Sequence, residues 1–172
     1  MATGTERKQK EPEIMMVDVH SHVLPHMDDG SKNTAVSRLM LRESARQGIR
    51  WMAATPHFYP SQNSPEQFLE RRKRAADRLR ERWEPEFPRL LLGAEVYYFE
   101  GISRAAGIRR LCIEETELLL LEMPFAPWTG RMVEEIYSLS RQPGITVLLA
   151  HIERYLKFQK RLYGMICYRP EF

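Results

Sequence analysis

The stretch VDVHSHVLPHMDDG, residues 17–30, places three of the chain's five histidines within seven positions, directly after a short apolar run. Residues 15–20 carry the β-branched valines of a short strand. Alternation along that strand puts His20 and His22 on one side, where two imidazoles can face one cation. An HxH pair on its own serves equally well to cap a strand or to satisfy loop backbone. The reading therefore turns on whether other apolar runs also end in ligand-type side chains.

They do. Residues 49–54 form an apolar run closed by Thr55-Pro56-His57; residues 90–99 (LLLGAEVYYF) hold Glu95; residues 117–123 hold Glu122; residues 145–150 lead into His151. Between these runs lie helix patterns. Cap-type residues Ser31 to Thr34 precede residues 35–47, whose Val36, Leu39, Met40 and Ala45 suggest an apolar face closed by Gly48. Residues 64–83 place Phe68, Leu69, Ala75, Ala76, Leu79 and Trp83 at helical spacings, and residues 130–141 do the same with Met132, Val133, Ile136 and Leu139. Near-continuous apolar strands alternating with amphipathic helices predict an α/β fold with a mostly parallel sheet. In a (β/α) barrel the carboxyl ends of the strands converge on one mouth, which would unite residues more than a hundred positions apart. A doubly wound sheet also gathers groups at strand ends, and five strands leave it open.

Length and composition bound the function. The chain has 172 residues, 43% of them hydrophobic, which suits one domain with a real core. Its 26 basic and 23 acidic side chains are interspersed, giving a net charge of +3 without a basic tail and no sign of nucleic-acid binding. No apolar run approaches the roughly 20 residues of a membrane span, and residues 1–14 read as a polar tail without a signal-peptide core. Cys112 and Cys167 form no CxxC pair, so a reducing, cytoplasmic setting is expected.

His20, His22, Asp29, His57, Glu95, Glu122 and His151 make a mixed nitrogen and oxygen donor set suited to manganese, iron or zinc, with carboxylates able to bridge ions about 3.5 to 4 Å apart. Glu95 weighs most, because a carboxylate inside an apolar strand is expensive to bury unpaired. Asp28 is read as orienting the loop while Asp29 coordinates. Arg154 offers a planar donor fork to a phosphoryl oxygen, though an arginine there is also an ordinary solvated group. Arg71-Arg72-Lys73-Arg74 reads as solvent-facing helix surface interlaced with Glu70, Asp77 and Glu81. Neither cysteine sits in a phosphate-binding cradle, and no glycine-rich nucleotide loop occurs, so metal-activated water is the better nucleophile.

The stretches DVHSHVLPHMDDGSK, ATPHFYP, LLLGAEVYY, LLLLEMPF and LLAHIERY, spread over residues 15–155, together resemble the manganese-dependent protein-tyrosine phosphatases of the polymerase and histidinol phosphatase (PHP) superfamily, found in bacterial capsule and exopolysaccharide operons. The resemblance implies a distorted (β/α)7 barrel, TIM-barrel-like. It implies metal ligation by His20, His22, Asp29, His57, Glu95, Glu122 and His151, and a substrate-phosphate contact from Arg154. The expected reaction is hydrolysis of phosphotyrosine in proteins, with a bacterial tyrosine kinase of polysaccharide synthesis as a candidate substrate and homo-oligomerisation left open. Phe58, Tyr59, Phe125 and Trp128 are candidates to flank the substrate ring. Histidinol phosphate or another phosphomonoester is the alternative substrate, and an inactive metal-binding or interaction fragment is the alternative role. The family's further Asp-x-His pair is missing from the sequence, and Ile152 stands where the motif commonly has proline. Residues 15–172 are accordingly expected to form an incomplete PHP domain, its C-terminal strands absent.

Overall fold

The computed structural model describes residues 15–159; the polar tail at 1–14 and Cys167 lie outside them. Among the described residues there are seven strands: β1 (Met16–Ser21), β2 (Ile49–Ala54), β3 (His57–Phe58), β4 (Arg89–Leu92), β5 (Glu95–Tyr97), β6 (Leu118–Glu122) and β7 (Thr146–Leu149). The helices are α1 (Thr34–Arg46), α2 (Pro65–Arg80), α3 (Gly130–Ser140) and the single turn α4 (Ile152–Tyr155). All strand pairings are parallel, in the orders β1-β2-β4 and β3-β5-β6-β7.

The two sheets are joined at a shared seam. β2 runs on into β3 and β4 into β5, with backbone hydrogen bonds from Gly93 to Ala54 and from Glu95 to Pro56 bridging the interruptions. Counted through the seam, neighbours follow chain order, without the reversal that marks a doubly wound sheet.

The run at residues 90–99 is thus two strands, not one. Gly93 marks the break: a Cβ there would press on Ile113 and Thr55 side chains at 2.9 and 3.2 Å. Its carbonyl accepts a 2.8 Å hydrogen bond from Arg72 Nη1. Arg72 therefore departs from the solvent-facing reading; it is buried against the seam. Its neighbours do behave as surface, with Lys73 paired to Asp77 and Arg74 to Glu70.

Strand alternation puts Met52, Ala54, Leu90 and Leu92 on the side packed by Leu41 of α1 and by Ala75, Ala76 and Leu79 of α2. Ala53 and Leu91 point to the opposite side, against Ile113. Both faces are covered, which is why these runs lack polar alternation. α1 is rotated from its expected face: Ser37 and Leu41 are buried, whereas Val36 and Leu39 are exposed. A 2.7 Å hydrogen bond between the Ser31 and Ser37 hydroxyls satisfies the polar group that this orientation buries. Caps bound the helices as the sequence suggests, with Asn33 accepting from Val36 N, and Ser64 forming a capping box with Gln67.

The second core lies beneath the other sheet, where Phe58, Val96, Leu119 and Leu121 meet Phe68, Leu139, Ile145 and Tyr155. Phe58 belongs to this core and is 2% exposed, so it is no wall for a substrate ring.

Candidate metal centre

The face of β3, β5 and β6 opposite that core carries the polar residues, and register explains why. His57 pairs directly with Glu95, and Tyr97 with Glu122. With period-two alternation, His57, Glu95 and Glu122 then share one side of the sheet. β1 delivers His20, with His22 one residue beyond its end; His151 follows β7 in a left-handed conformation, φ 51° and ψ 39°.

These groups converge on Glu95, whose side chain is fully buried. His20 Nε2, His22 Nε2 and His57 Nδ1 lie 3.0, 3.1 and 3.1 Å from its Oε2, and His151 Nε2 lies 3.2 Å from Oε1. Despite these distances, both Glu95 oxygens and His57 Nδ1 are buried without a hydrogen-bond partner. The atoms are close together but not aligned as donors and acceptors. A buried carboxylate left in this state is costly. The separation between His20 Nε2 and His22 Nε2 is 3.2 Å. Two imidazole nitrogens bound to one ion at about 2.1 Å and near-tetrahedral or octahedral angles stand about 3.0 to 3.4 Å apart. The donor set therefore fits a divalent cation. Three overlapping triads present ligand atoms within 4.8 Å of one another: His20/His22/Glu95, His22/Asp29/His57 and His57/Glu95/Glu122. Glu95, His22 and His57 each belong to two of them, so the three triads form one continuous donor cluster.

Asp28 supports the cluster from behind. Its Oδ2 lies 2.6 Å from His22 Nδ1 and accepts from the His57 backbone N–H, while Oδ1 accepts from Gly30 N. This leaves His22 Nε2 to face Glu95, the arrangement in which a carboxylate fixes an imidazole's tautomer. Asp29 is 88% exposed, with Oδ1 3.8 Å from His57 Nε2, so it closes the cluster from the solvent side. The loop is tight: a Cβ on Gly30 would overlap the Cβ and carbonyl oxygen of His22. Gly30→Ala is expected to displace His22 and lower bound metal at least tenfold, measured by elemental analysis of the folded variant after dialysis.

Electrostatics separate the two glutamates. Burial pushes Glu95 upward, but His20, His22 and His57 outweigh it and hold its carboxyl well below the ordinary range. Glu122 is shifted the other way, by burial first and then by the neighbouring charge of Glu95. Burial disfavours protonated His22, yet Asp28 and Glu95 together raise it to about 10. Burial lowers His151, assisted by nearby Arg154. Arg154 itself is half-exposed, with Nε 3.6 Å from Glu153. It stands beside the cluster and is not one of the groups gathered around Glu95.

Tyr155 escaped the motif reading. It is fully buried, its hydroxyl accepts a 2.9 Å hydrogen bond from Met123 N, and Phe125 and Trp128 pack on its ring. It thereby pins the strand end carrying Glu122. Only its place in LLAHIERY hinted at such a role. Phe125 and Trp128 are thus engaged with Tyr155, whereas Tyr59 stacks beside His57 at a centroid distance of 5.2 Å.

The fold and the cluster define a parallel α/β protein with a carboxylate–histidine cluster, a candidate metal centre, at the strand ends. The chain belongs to the capsular polysaccharide synthesis family CpsB/CapC, whose model matches residues 16–166. It is 34% identical over 144 residues to tyrosine-protein phosphatase YwqE of Bacillus subtilis (strain 168), an alignment covering 81% of this chain and 55% of that protein. It is 31% identical over 170 residues to tyrosine-protein phosphatase CpsB of Streptococcus pneumoniae, covering 89% of this chain and 65% of that protein. A chain from the crystal structures of YwqE and CpsB, described as unique metal-dependent tyrosine phosphatases, matches with a TM-score of 0.65 and 33% identity, covering 81% of this chain and 56% of that one. The chain thus spans between about half and two thirds of the length of these relatives. No helix among the described residues is long and apolar enough to cross a membrane.

Proposed function

We propose that this chain carries the metal-binding half of a protein-tyrosine phosphatase acting in capsular or extracellular polysaccharide synthesis, with residues 15–172 contributing to one PHP-type barrel. The observation that carries the reading is the buried Glu95 carboxylate, without an aligned hydrogen bond and ringed by four imidazole nitrogens, in a chain of the CpsB/CapC family. The barrel reading draws support from the chain-order neighbours across the seam.

In this reading His20, His22, Asp29, His57, Glu95, Glu122 and His151 hold the metal ions, with manganese favoured and iron or zinc alternatives for the same donors. When bound, such ions supply Lewis-acid clamping of phosphoryl oxygens and a water acidified enough to attack phosphorus. The protein's own side chains do the rest. Asp28 keeps His22 in the tautomer whose Nε2 faces the cluster. Arg154 neutralises charge on the transferring phosphoryl group. Tyr59 offers its ring beside His57 as a wall for the phenyl group. The phenolate released has a pKa of about 10, so it leaves without a strong general acid. A tyrosine kinase of polysaccharide synthesis is the proposed phosphoprotein.

The test compares hydrolysis of a phosphotyrosine peptide with that of histidinol phosphate, using the chain loaded with manganese, iron or zinc in turn. Faster turnover of the peptide is expected. Preference for histidinol phosphate would move the chain to another branch of the superfamily, and stoichiometric metal with no hydrolysis of either would make it a binding element without catalysis. Arg154→Ala is expected to retain its metal and lose about 100-fold in kcat/KM, the scale of one removed transition-state donor. Loss of metal from that variant would contradict the assignment.

A further inference from the structure

A cavity of about 300 Å³ adjoins the metal centre, sharing His57 and Asp29 with it and bounded beyond them by Tyr59, Asn63 and Arg71. Arg71 comes from α2, outside every stretch that carries the family resemblance. Its surroundings differ from those of other cations nearby. Lys73, Arg74 and Arg110 each pair with a carboxylate, Asp77, Glu70 and Glu66 respectively. The bonds of Arg71 go to neutral acceptors: Nη1 donates to Asn63 Oδ1 at 3.1 Å and Nη2 to the Met27 carbonyl at 3.4 Å. Among the described residues no carboxylate forms an ion pair with it. Two neutral acceptors from two different loops orient the solvent-exposed guanidinium without a carboxylate partner, and a guanidinium has five N–H donors, more than these bonds use. Preorganisation of this kind lowers the entropy cost of binding an anion.

We propose that Arg71 is a specificity-determining residue that binds an acidic side chain flanking the phosphotyrosine of a substrate peptide. The proposal rests on the phosphotyrosine reading of the adjacent site. With the phosphoryl group at the histidine cluster and the phenyl ring along Tyr59, the neighbouring peptide residues enter the space bounded by Asn63 and Arg71. A carboxylate there meets a planar donor fork already turned toward the cavity and completes the missing ion pair. Asp28 and Asp29, which line the same cavity, would repel such a residue in the bare chain; the pairing of Asp28 with His22 and cation binding at Asp29 and His57 offset that repulsion, so selectivity is expected with metal present.

The experiment measures binding, in manganese-containing buffer, of two fluorescent peptides carrying a non-hydrolysable phosphotyrosine mimic. One has glutamates on both sides of the mimic and the other glutamines. The wild-type chain is expected to bind the acidic peptide about fivefold more tightly, the upper range for one partly exposed ion pair. Arg71→Gln is expected to erase the difference and Arg71→Lys to keep part of it. Arg74→Gln, which removes a paired surface charge from the same helix, is expected to leave the difference intact. Equal affinity of the wild type for both peptides, binding of neither, or a preference that survives in folded Arg71→Gln overturns the proposal. Hydrolysis of p-nitrophenyl phosphate is measured separately. Its absence alongside charge-selective binding would count against the phosphatase reading and leave the peptide contact standing; its presence without selectivity would do the reverse.

Discussion

Glu95→Gln is expected to abolish stoichiometric metal binding while the chain remains folded. The carboxylate sits where two triads of candidate ligands overlap, and four imidazole nitrogens lie within 3.2 Å of its oxygens. Glutamine keeps the shape but replaces one anionic oxygen by an amide nitrogen, which neither bridges cations nor offsets their charge. Removing an orienting group behind a ligand typically costs 10- to 100-fold in affinity, so loss of the shared ligand should exceed about 100-fold. Isothermal titration with manganese, alongside elemental analysis after dialysis, supplies the measurement. An affinity within tenfold of wild type would remove Glu95 from the ligand set. Without metal, the substitution also takes a negative charge away from His22, so thermal stability of the bare variant should be recorded to separate folding from binding.

The largest effect on stability is expected at Tyr155. Truncation to alanine removes a fully buried ring that contacts Phe125 and Trp128, and large-to-small changes of aromatic residues cost about 3 to 5 kcal/mol. Tyr155→Phe keeps the packing and strands the buried Met123 N–H, at about 1 to 3 kcal/mol. Denaturant unfolding of both variants resolves the two contributions. Equal losses would mean that the hydrogen bond, not the ring, dominates; no loss from the phenylalanine variant would mean that Met123 N finds another acceptor. Because Met123 follows Glu122 directly, the phenylalanine variant is also expected to weaken metal binding modestly.

Much of the candidate cluster was legible in the sequence because carboxylate and imidazole side chains are poorly suited to apolar strands. Glu95 in LLLGAEVYY and Glu122 in LLLLEMPF stood out from residues whose burial they should have opposed, and HxH repeated the signal at the first strand. Helix boundaries were legible through local chemistry, since the Asn33 and Ser64 caps depend on bonds only three residues long. Tertiary structure decided what local patterns leave degenerate. Periodicity could not distinguish the two faces of α1, because Val36 and Leu39 are as apolar as Leu41; contact with the sheet chose Leu41, and the Ser31 hydroxyl made burial of Ser37 affordable. The same applies to Arg72 among four consecutive cations: its bond to the buried carbonyl of Gly93, where one strand becomes two, and its place over the Phe68 ring distinguish it. Long-range register then brought His57 opposite Glu95 across 38 positions of chain. Residue types carry the chemistry, but proximity is a property of pairing and packing, whose energies are summed over contacts distant in sequence.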